Sequence, residues 1–325
     1  MIGPDALKID PAATVAAITE KLREQVLGTL RRKGAVLGLS GGVDSSVCAA
    51  LCVRAFGASK VLGILMPERD SSPDALSLGT LVAKTFDIPL VKEDIRPALE
   101  GMDAYARQID AIRRVVPDYG DGWKCKLTLP SAAMSDRIAV TMLTVQSPDG
   151  KTQTVRLTPE AYLQLVAATN FKQRIRKMTE YYHADRLNYA VCGTPNRLEY
   201  DLGFFVKQGD GMADVKPIAH LFKTQVYQIA EHLGVPAEIR SRPPTTDTFS
   251  MPQTQDEFYF ALPYDRMDLC LFAFDRNVAA AEVAPAVGLT AEQVERVYKD
   301  IKSKRRAASY LHMRPLLVEP VDGAH

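Results

Sequence analysis

The sequence predicts an α/β fold, a doubly wound parallel sheet with crossover helices, and three observations carry that expectation. Short apolar, β-rich runs alternate with helical stretches between Ala35 and Ile95, the pattern of parallel strands joined by helices. The first run, Val36-Leu37-Gly38-Leu39, enters a Ser40-Gly41-Gly42 turn, and Val43-Asp44-Ser45-Ser46 then opens a helix. Ligands of such sheets bind in turns of this kind, beyond the carboxyl ends of the strands. After an interruption the helix-then-strand rhythm returns from Asn170 to Cys192.

Element by element, residues 12–32 have helical periodicity, with Val15, Ile18, Leu22, Val26 and Leu30 on one broad face. A strand is expected over 35–39, then the glycine turn and a helix over 47–54. A second strand over 61–66 ends in Pro67-Glu68-Arg69-Asp70-Ser71-Ser72. A helix over 73–86 and a third strand over 89–95 complete this half. Residues 117–165 break the rhythm and read as an insertion. Strands are expected there over 124–129, 138–145 and 152–157, the last two paired as a β-hairpin around Ser147-Pro148-Asp149-Gly150. A helix over 170–187 and a strand over 188–192 restore the pattern. They are followed by a polar, glycine-rich stretch, a helix over 224–233 and a proline-rich loop over 241–252. The carboxyl region reads as helical, and Thr290-Ala291-Glu292-Gln293 has the form of a capping box for a helix running to about residue 302. With no repeat, low-complexity tract or flexible linker, residues 1–325 are expected to form one domain carrying an insertion at about 117–165.

Composition narrows the function classes. The 325 residues carry a formal charge of +1, unlike a polybasic nucleic-acid binder. No apolar run approaches the roughly 20 residues that span a bilayer, and residues 1–13 lack the pattern of a signal peptide. Neither a nucleic-acid partner nor a membrane is expected. The five cysteines form no C-x-x-C pair and read as buried apolar side chains of a cytoplasmic protein. Cys48 and Cys52, four apart on one helix, could also share a metal or redox site.

The glycine turn carries the first chemistry. Two adjacent glycines let the backbone approach a ligand closely, and free amides at a helix start, with the helix dipole, seat an anion. Ser40, Ser45 and Ser46 add hydroxyl donors, and Asp44 adds a carboxylate for a phosphate-bound Mg²⁺. The turn has neither the Gly-Lys-Ser/Thr of a P-loop nor the G-x-G-x-x-G spacing of a dinucleotide fold. Alone, it also fits an ordinary strand-to-helix turn with Asp44 and Ser45 as cap residues. A second cluster follows the strand near residue 190: Thr194, Glu199, Lys207 and Asp210 gather a hydroxyl, two carboxylates and a cation within a short span.

Taken together these stretches resemble a known family. Ser40-Gly41-Gly42-Val43-Asp44-Ser45 is similar to the pyrophosphatase loop of the Rossmann-like adenine nucleotide α-hydrolase-like ATPases. The later stretch resembles NAD synthetases: G-T-x-N-x-x-E from Gly193 to Glu199, then G-F-F-x-K-x-G-D-G from Gly203 to Gly211, then Asp214 and Lys223-Thr224-Gln225-Val226. Asn170-x-Lys172-x-Arg174-x-Arg176 resembles the arginine-bearing helix of that family and Pro244-Thr245-Thr246-Asp247 its Pro-Thr/Ser loop. Gln255-Asp256-Glu257 and Tyr264-Asp265 resemble the loop and helix start that follow. The likeness covers about 14–116 and 168–305.

The resemblance implies a ligase that amidates the nicotinate carboxylate of deamido-NAD. ATP adenylates the carboxylate and releases pyrophosphate, and ammonia displaces AMP. It implies that Gly38, Leu39, Ser40, Gly41, Gly42, Val43, Asp44, Ser45 and Ser46 hold ATP, joined by Thr194, Lys223 and Thr245. Asp44, Lys223 and Thr245 would serve catalysis, and Asp44 and Glu199 would bind Mg²⁺. Arg174, Lys207 and Asp214 would bind the dinucleotide, with Asp210 close by. Near the carboxyl end the family often has Glu-His-Lys-Arg. Lys302-Ser303-Lys304-Arg305 is the nearest match, which puts Lys304 on the substrate. A homodimer is implied. With the ATPase motif so near the amino end, ammonia is expected to be free or delivered by a separate glutaminase. The insertion and the altered tail are two departures, both expected on the acceptor side. They motivate one alternative, a paralogue amidating another carboxylate; a second, of a different class, is a non-catalytic nucleotide-binding protein.

Overall fold

The structure, a computed structural model, describes residues 3–128, 141–245, 248–260 and 262–321. Thr246 and Asp247, and the start of the strand expected over 138–145, lie outside the described residues.

Helix α1 (Pro11–Arg23) is capped by Asp10, whose carboxylate accepts from the Ala13 amide. The helix expected over 12–32 changes character at Glu24–Thr29, where the turns widen to π-helical bonding. Strand β1 (Ala35–Gly38), helix α2 (Val43–Phe56), strand β2 (Val61–Leu65), helix α3 (Pro73–Thr85) and strand β3 (Leu90–Lys92) follow in the expected order. Short helices α4 (Arg96–Gly101) and α5 (Ala104–Arg113) lead into the segment expected to be an insertion. There β4 (Lys124–Thr128), β5 (Met142–Gln146) and β6 (Thr152–Arg156) form an antiparallel sheet in the order β4-β5-β6. The expected hairpin is present as β5–β6, and β4 extends it, with Leu127 opposite Leu143 and Cys125 opposite Val145. Those four side chains are buried against Ala161 and Leu165, which the hairpin alone would leave open.

Those last two residues belong to α6 (Pro159–Leu187), which starts eleven residues before the expected 170. The reason is local: Thr158 accepts from the Ala161 amide, and Pro159 sits where a missing N–H costs nothing. Strand β7 (Ala190–Val191) is followed by helices α7 (Arg197–Leu202), α8 (Lys223–His232), α9 (Ala237–Arg240), α10 (Tyr264–Phe274), α11 (Ala280–Val287) and α12 (Ala291–His312). The Thr290–Gln293 capping box forms, but α12 runs ten residues past the expected end.

The principal sheet is parallel with order β3-β2-β1-β7. Alternate side chains of its strands sort onto two faces. Ala35 and Leu37 join the core under α1, α2 and α8, while Val36, Ile64 and Val191 pack on the other face against Ala184 of α6. Helices on both faces make the sheet doubly wound, and α10–α12 form a helical region with its own core. Each fully buried Leu or Ile of these clusters contributes about 1.5–3 kcal/mol. Chain order reverses at β1, between β2 and β7. That places a crevice at the carboxyl ends of β1 and β7.

Candidate active site

The crevice is a cavity of about 660 Å³. Its floor is the turn after β1. Gly42 is the N-cap residue of α2 and supplies no side-chain acceptor, so the first amides of the helix keep their capacity for an anion. Gly41 has φ +79°, and a Cβ there would lie 2.7 Å from Leu78 Cβ, so no larger residue fits the turn. Ser45 Oγ lies 3.1 Å from both Ser40 Oγ and the Gly42 carbonyl, and Ser46 donates to the same carbonyl at 2.8 Å. Asp44 and Ser45 are therefore not the helix cap.

Asp44 turns instead to the second half of the site. One carboxylate oxygen accepts from Lys223 Nζ and the other from Asn196 Nδ2 at 3.3 Å. Asn196 caps α7 reciprocally with Glu199, which fixes the Glu199 carboxylate beside Asp44. Burial pushes the Glu199 carboxyl up to about 8, and the neighbouring Asp44 charge adds to the push. Burial opposes the charge on Lys223, which is 1% exposed, but Asp44 and Glu199 outweigh it and raise the lysine above its ordinary value. Lys223 begins α8, and its position is fixed by Asp268, which accepts from the Thr224 amide at 2.8 Å.

Such a pair of carboxylates suits a divalent cation. Among the described residues no group of three or more His, Cys, Asp or Glu could hold a metal unaided. Mg²⁺ needs only one or two carboxylates and takes its remaining oxygens from phosphate and water. Burial raises Glu199 most, and a cation would relieve the part that the Asp44 charge adds.

Helix α6 forms the facing wall. Asn170, Gln173 and Lys177 recur at helical spacing along the cavity, joined by Lys172, Arg176 and Glu180. Lys172, 3% exposed, donates to Glu68 at 3.1 Å, Asp70 at 2.7 Å and the Thr248 carbonyl at 3.1 Å. Lys177 pairs with Glu180 at 2.5 Å, and burial raises the Glu180 carboxyl although Lys177 pulls it back. Asp210 accepts from the Val206 amide at 2.8 Å, and burial raises it as well. Aromatic side chains close the upper side: Phe204 stacks on Tyr259 at 4.9 Å and meets Phe258 edge-on.

The expected residues divide cleanly. Gly38 to Ser45, Thr194, Glu199, Asp210, Lys223 and Thr245 all line the cavity, and Ser46 lies buried under the turn. Arg174, Lys207, Asp214 and Lys304 do not line it. Arg174 falls on the neighbouring face of α6, where its Nε donates to the Lys207 carbonyl at 3.4 Å. Lys207 Nζ donates to the Tyr310 carbonyl at 2.9 Å. Asp214 accepts from the Val191 amide at 2.7 Å and from Tyr181. Lys304 is buried within α12, bonded to Asp300 one turn earlier and to the Tyr259 carbonyl; the helix continues through this segment, so it is no free tail. Sequence reasoning missed Lys172, Lys177 and Glu180. Asn170-x-Lys172-x-Arg174-x-Arg176 marks this helix as polar, but i+4 puts Arg174 on the face of Asn170 just as i+3 and i+7 put Gln173 and Lys177, so spacing alone does not separate them.

A backbone anion seat facing two carboxylates and a buried lysine, at the reversal point of a parallel sheet, defines an α/β protein that handles a nucleotide triphosphate. The chain belongs to the NAD synthase family, whose model matches residues 14–115 and 133–308. It is 67% identical to the NH(3)-dependent NAD(+) synthetase of Mesorhizobium japonicum, across 96% of this chain and 98% of that protein. It is 59% identical to the protein of the same name from Rhizobium rhizogenes, across 98% and 96%. Among solved structures, NMN synthetase from Francisella tularensis superposes with a TM-score of 0.66 over 95% of this chain and 99% of that one. At 21% identity that likeness speaks to the fold alone.

Proposed function

We infer that the protein is an ATP-dependent ligase that makes NAD from deamido-NAD and ammonia. The observation that carries this is the near-complete, high-identity match to ammonia-dependent NAD synthetases, which disfavours both a different carboxylate and a non-catalytic role. The site geometry agrees. The nicotinate carboxylate oxygen attacks the α-phosphorus of ATP, the bond to the bridging oxygen breaks and pyrophosphate leaves. Ammonia then attacks the carbonyl carbon, AMP departs with the C–O bond electrons, and one proton is lost.

In this reading the amides of Gly41 to Val43 and the hydroxyls of Ser40 and Ser45 receive the departing pyrophosphate, and Lys223 offsets its charge. Thr194 and Thr245 hold ATP. Asp44 and Glu199 would hold Mg²⁺, which supplies charge neutralisation on the triphosphate. The carboxylate is already activated as its adenylate, so no side chain forms a covalent intermediate and catalysis is mainly orientation and charge stabilisation. Asp210, which lines the cavity, would lie close to the dinucleotide. Arg174, Lys207, Asp214 and Lys304, outside this cavity, would reach the dinucleotide only through its remote end. A homodimer, ammonia taken free or from a separate glutaminase, and one catalytic unit spanning 1–325 remain part of this reading.

The test is incubation of the purified protein with ATP, Mg²⁺, ammonium and deamido-NAD. NAD and AMP should appear in equal amounts. ATP consumption without NAD, or no turnover, would reject the acceptor or the whole reading respectively.

A further inference from the structure

The antiparallel sheet β4-β5-β6, expected from the sequence to be an insertion, is bonded to a loop of the site. It lies beside the proline-rich segment that carries Thr245, and the two are bonded through the outer edge of β4. The Cys125 amide donates to Ser250 Oγ at 2.9 Å, and the Met251 amide donates back to the Cys125 carbonyl at 3.0 Å. Gln253 donates to the Leu127 carbonyl. The edge of the sheet, which would otherwise present unpaired backbone groups, is thus occupied by the loop. Beneath these bonds Phe249 joins the core of the insertion with Leu127, Leu143, Val145 and Leu165, and Phe258 packs against it.

The opposite side of the same segment is held by the principal domain, where Lys172 binds the Thr248 carbonyl while anchored on Glu68 and Asp70. The segment also closes on itself. Thr245 and Thr254 form an antiparallel bridge, and the Gln255 amide donates to the Pro244 carbonyl at 3.1 Å. Its tip, Phe249 to Met251, is therefore docked on β4 while its base presents Pro244, Thr245 and Gln255 to the cavity.

We propose that the inserted sheet is a positioning element for catalysis: β4 and Lys172 clamp the 248–255 segment from two sides and so hold Thr245 and Phe258 in the substrate-binding geometry. The insertion acts on ATP binding as well as on the acceptor wall, to which it contributes Leu127 and Thr141 directly. This rests on the ligase reading above. Preorganising a loop lowers the ordering cost of binding, so weakening the clamp raises KM while the chemistry of the bound complex is retained.

The experiment compares wild type with Ser250→Ala, Gln253→Leu and the conservative Ser250→Thr. KM for ATP and deamido-NAD should rise about three- to tenfold in the first two, the scale of one lost hydrogen bond, with kcat within about twofold. Ser250→Thr, which keeps the hydroxyl, should restore the wild-type constants. Hydrogen exchange of ligand-free protein supplies a second readout: amides of 248–255 should exchange faster in Ser250→Ala, with those of β1 and β2 unchanged. Wild-type KM values together with unchanged exchange would overturn the clamp. An equal fall in kcat, or loss of protection throughout β1 and β2, would reduce the insertion to a general stabiliser and also overturn it. An inactive wild type would instead reject the ligase reading, leaving the exchange result to decide the clamp.

Discussion

Lys223, the first residue of α8, reaches back across the cavity floor to the carboxylate of Asp44, 179 positions earlier in the chain. The contact joins the two halves of the fold at the point where the proposed reaction would balance the charge of the triphosphate. Asp44 enters this arrangement as a working carboxylate because Gly42 takes the capping position that its residue type would suit.

Asp44→Asn and Glu199→Gln each remove a proposed metal carboxylate. Both proteins should fold, with AMP release at saturating ATP falling about 100-fold or more, the scale seen when one preorganised electrostatic group is lost. Quantifying AMP with and without added Mg²⁺ checks this. AMP formation at the wild-type rate would remove that residue from the metal site.

Gly41→Ala introduces a Cβ at φ +79°, within 2.7 Å of Leu78 Cβ and 3.2 Å of the Ala75 carbonyl. A destabilisation of about 1–3 kcal/mol is expected from the backbone conformation, with weaker ATP binding as the turn shifts. Urea unfolding and calorimetric titration with ATP measure the two effects separately. Neither should be absent.

Lys172→Met strands Glu68 and Asp70 in a buried place, and removing one member of such a group costs about 3–5 kcal/mol. Replacing all three together, as Glu68→Gln, Asp70→Asn and Lys172→Met, should recover most of that loss. Equal stability of the single and triple variants would show that the cost is packing rather than unpaired charge.

Asp268 gives a pH dependence with a definite sign. Burial pushes its carboxyl up to about 6 from the ordinary 3.8, against the bond from the Thr224 amide. The folded state therefore holds this proton more tightly than the unfolded chain. The stabilisation is fully present below pH 3.8 and is lost as pH rises towards 6. Asp268→Asn keeps an acceptor for the amide and should remove up to about 3 kcal/mol of the decline in stability across that window. Chemical denaturation at several pH values in both proteins is the measurement, and parallel curves would contradict it.

Much of this was legible in the residues themselves. The strands and the glycine turn announce themselves through local composition, and the glycines and Asp44 belong to one contiguous motif. What local reading lacked is pairing at long range. Nothing near Lys172 names Glu68 and Asp70 as its partners, and nothing near β4 shows that a segment 125 residues later covers its edge. The insertion therefore read as a hairpin on the acceptor side, whereas β4 completes a sheet that also grips the loop bearing Thr245. Motif position puts Lys304 on the substrate, but Asp300 one turn earlier and the continuing helix bind it inward. Thr158-Pro159 was a readable helix start, masked by the strand pattern just before it.

The reversal of strand order at β1 has a consequence for how activity is born. The anion seat follows β1, while Thr194, Glu199 and Lys223 lie beyond β7, its pairing partner more than 150 residues later. Contacts so distant in sequence are slow to form. A chain in which β7 has not yet paired with β1 thus has the glycine turn but neither Glu199 nor Lys223 opposite it.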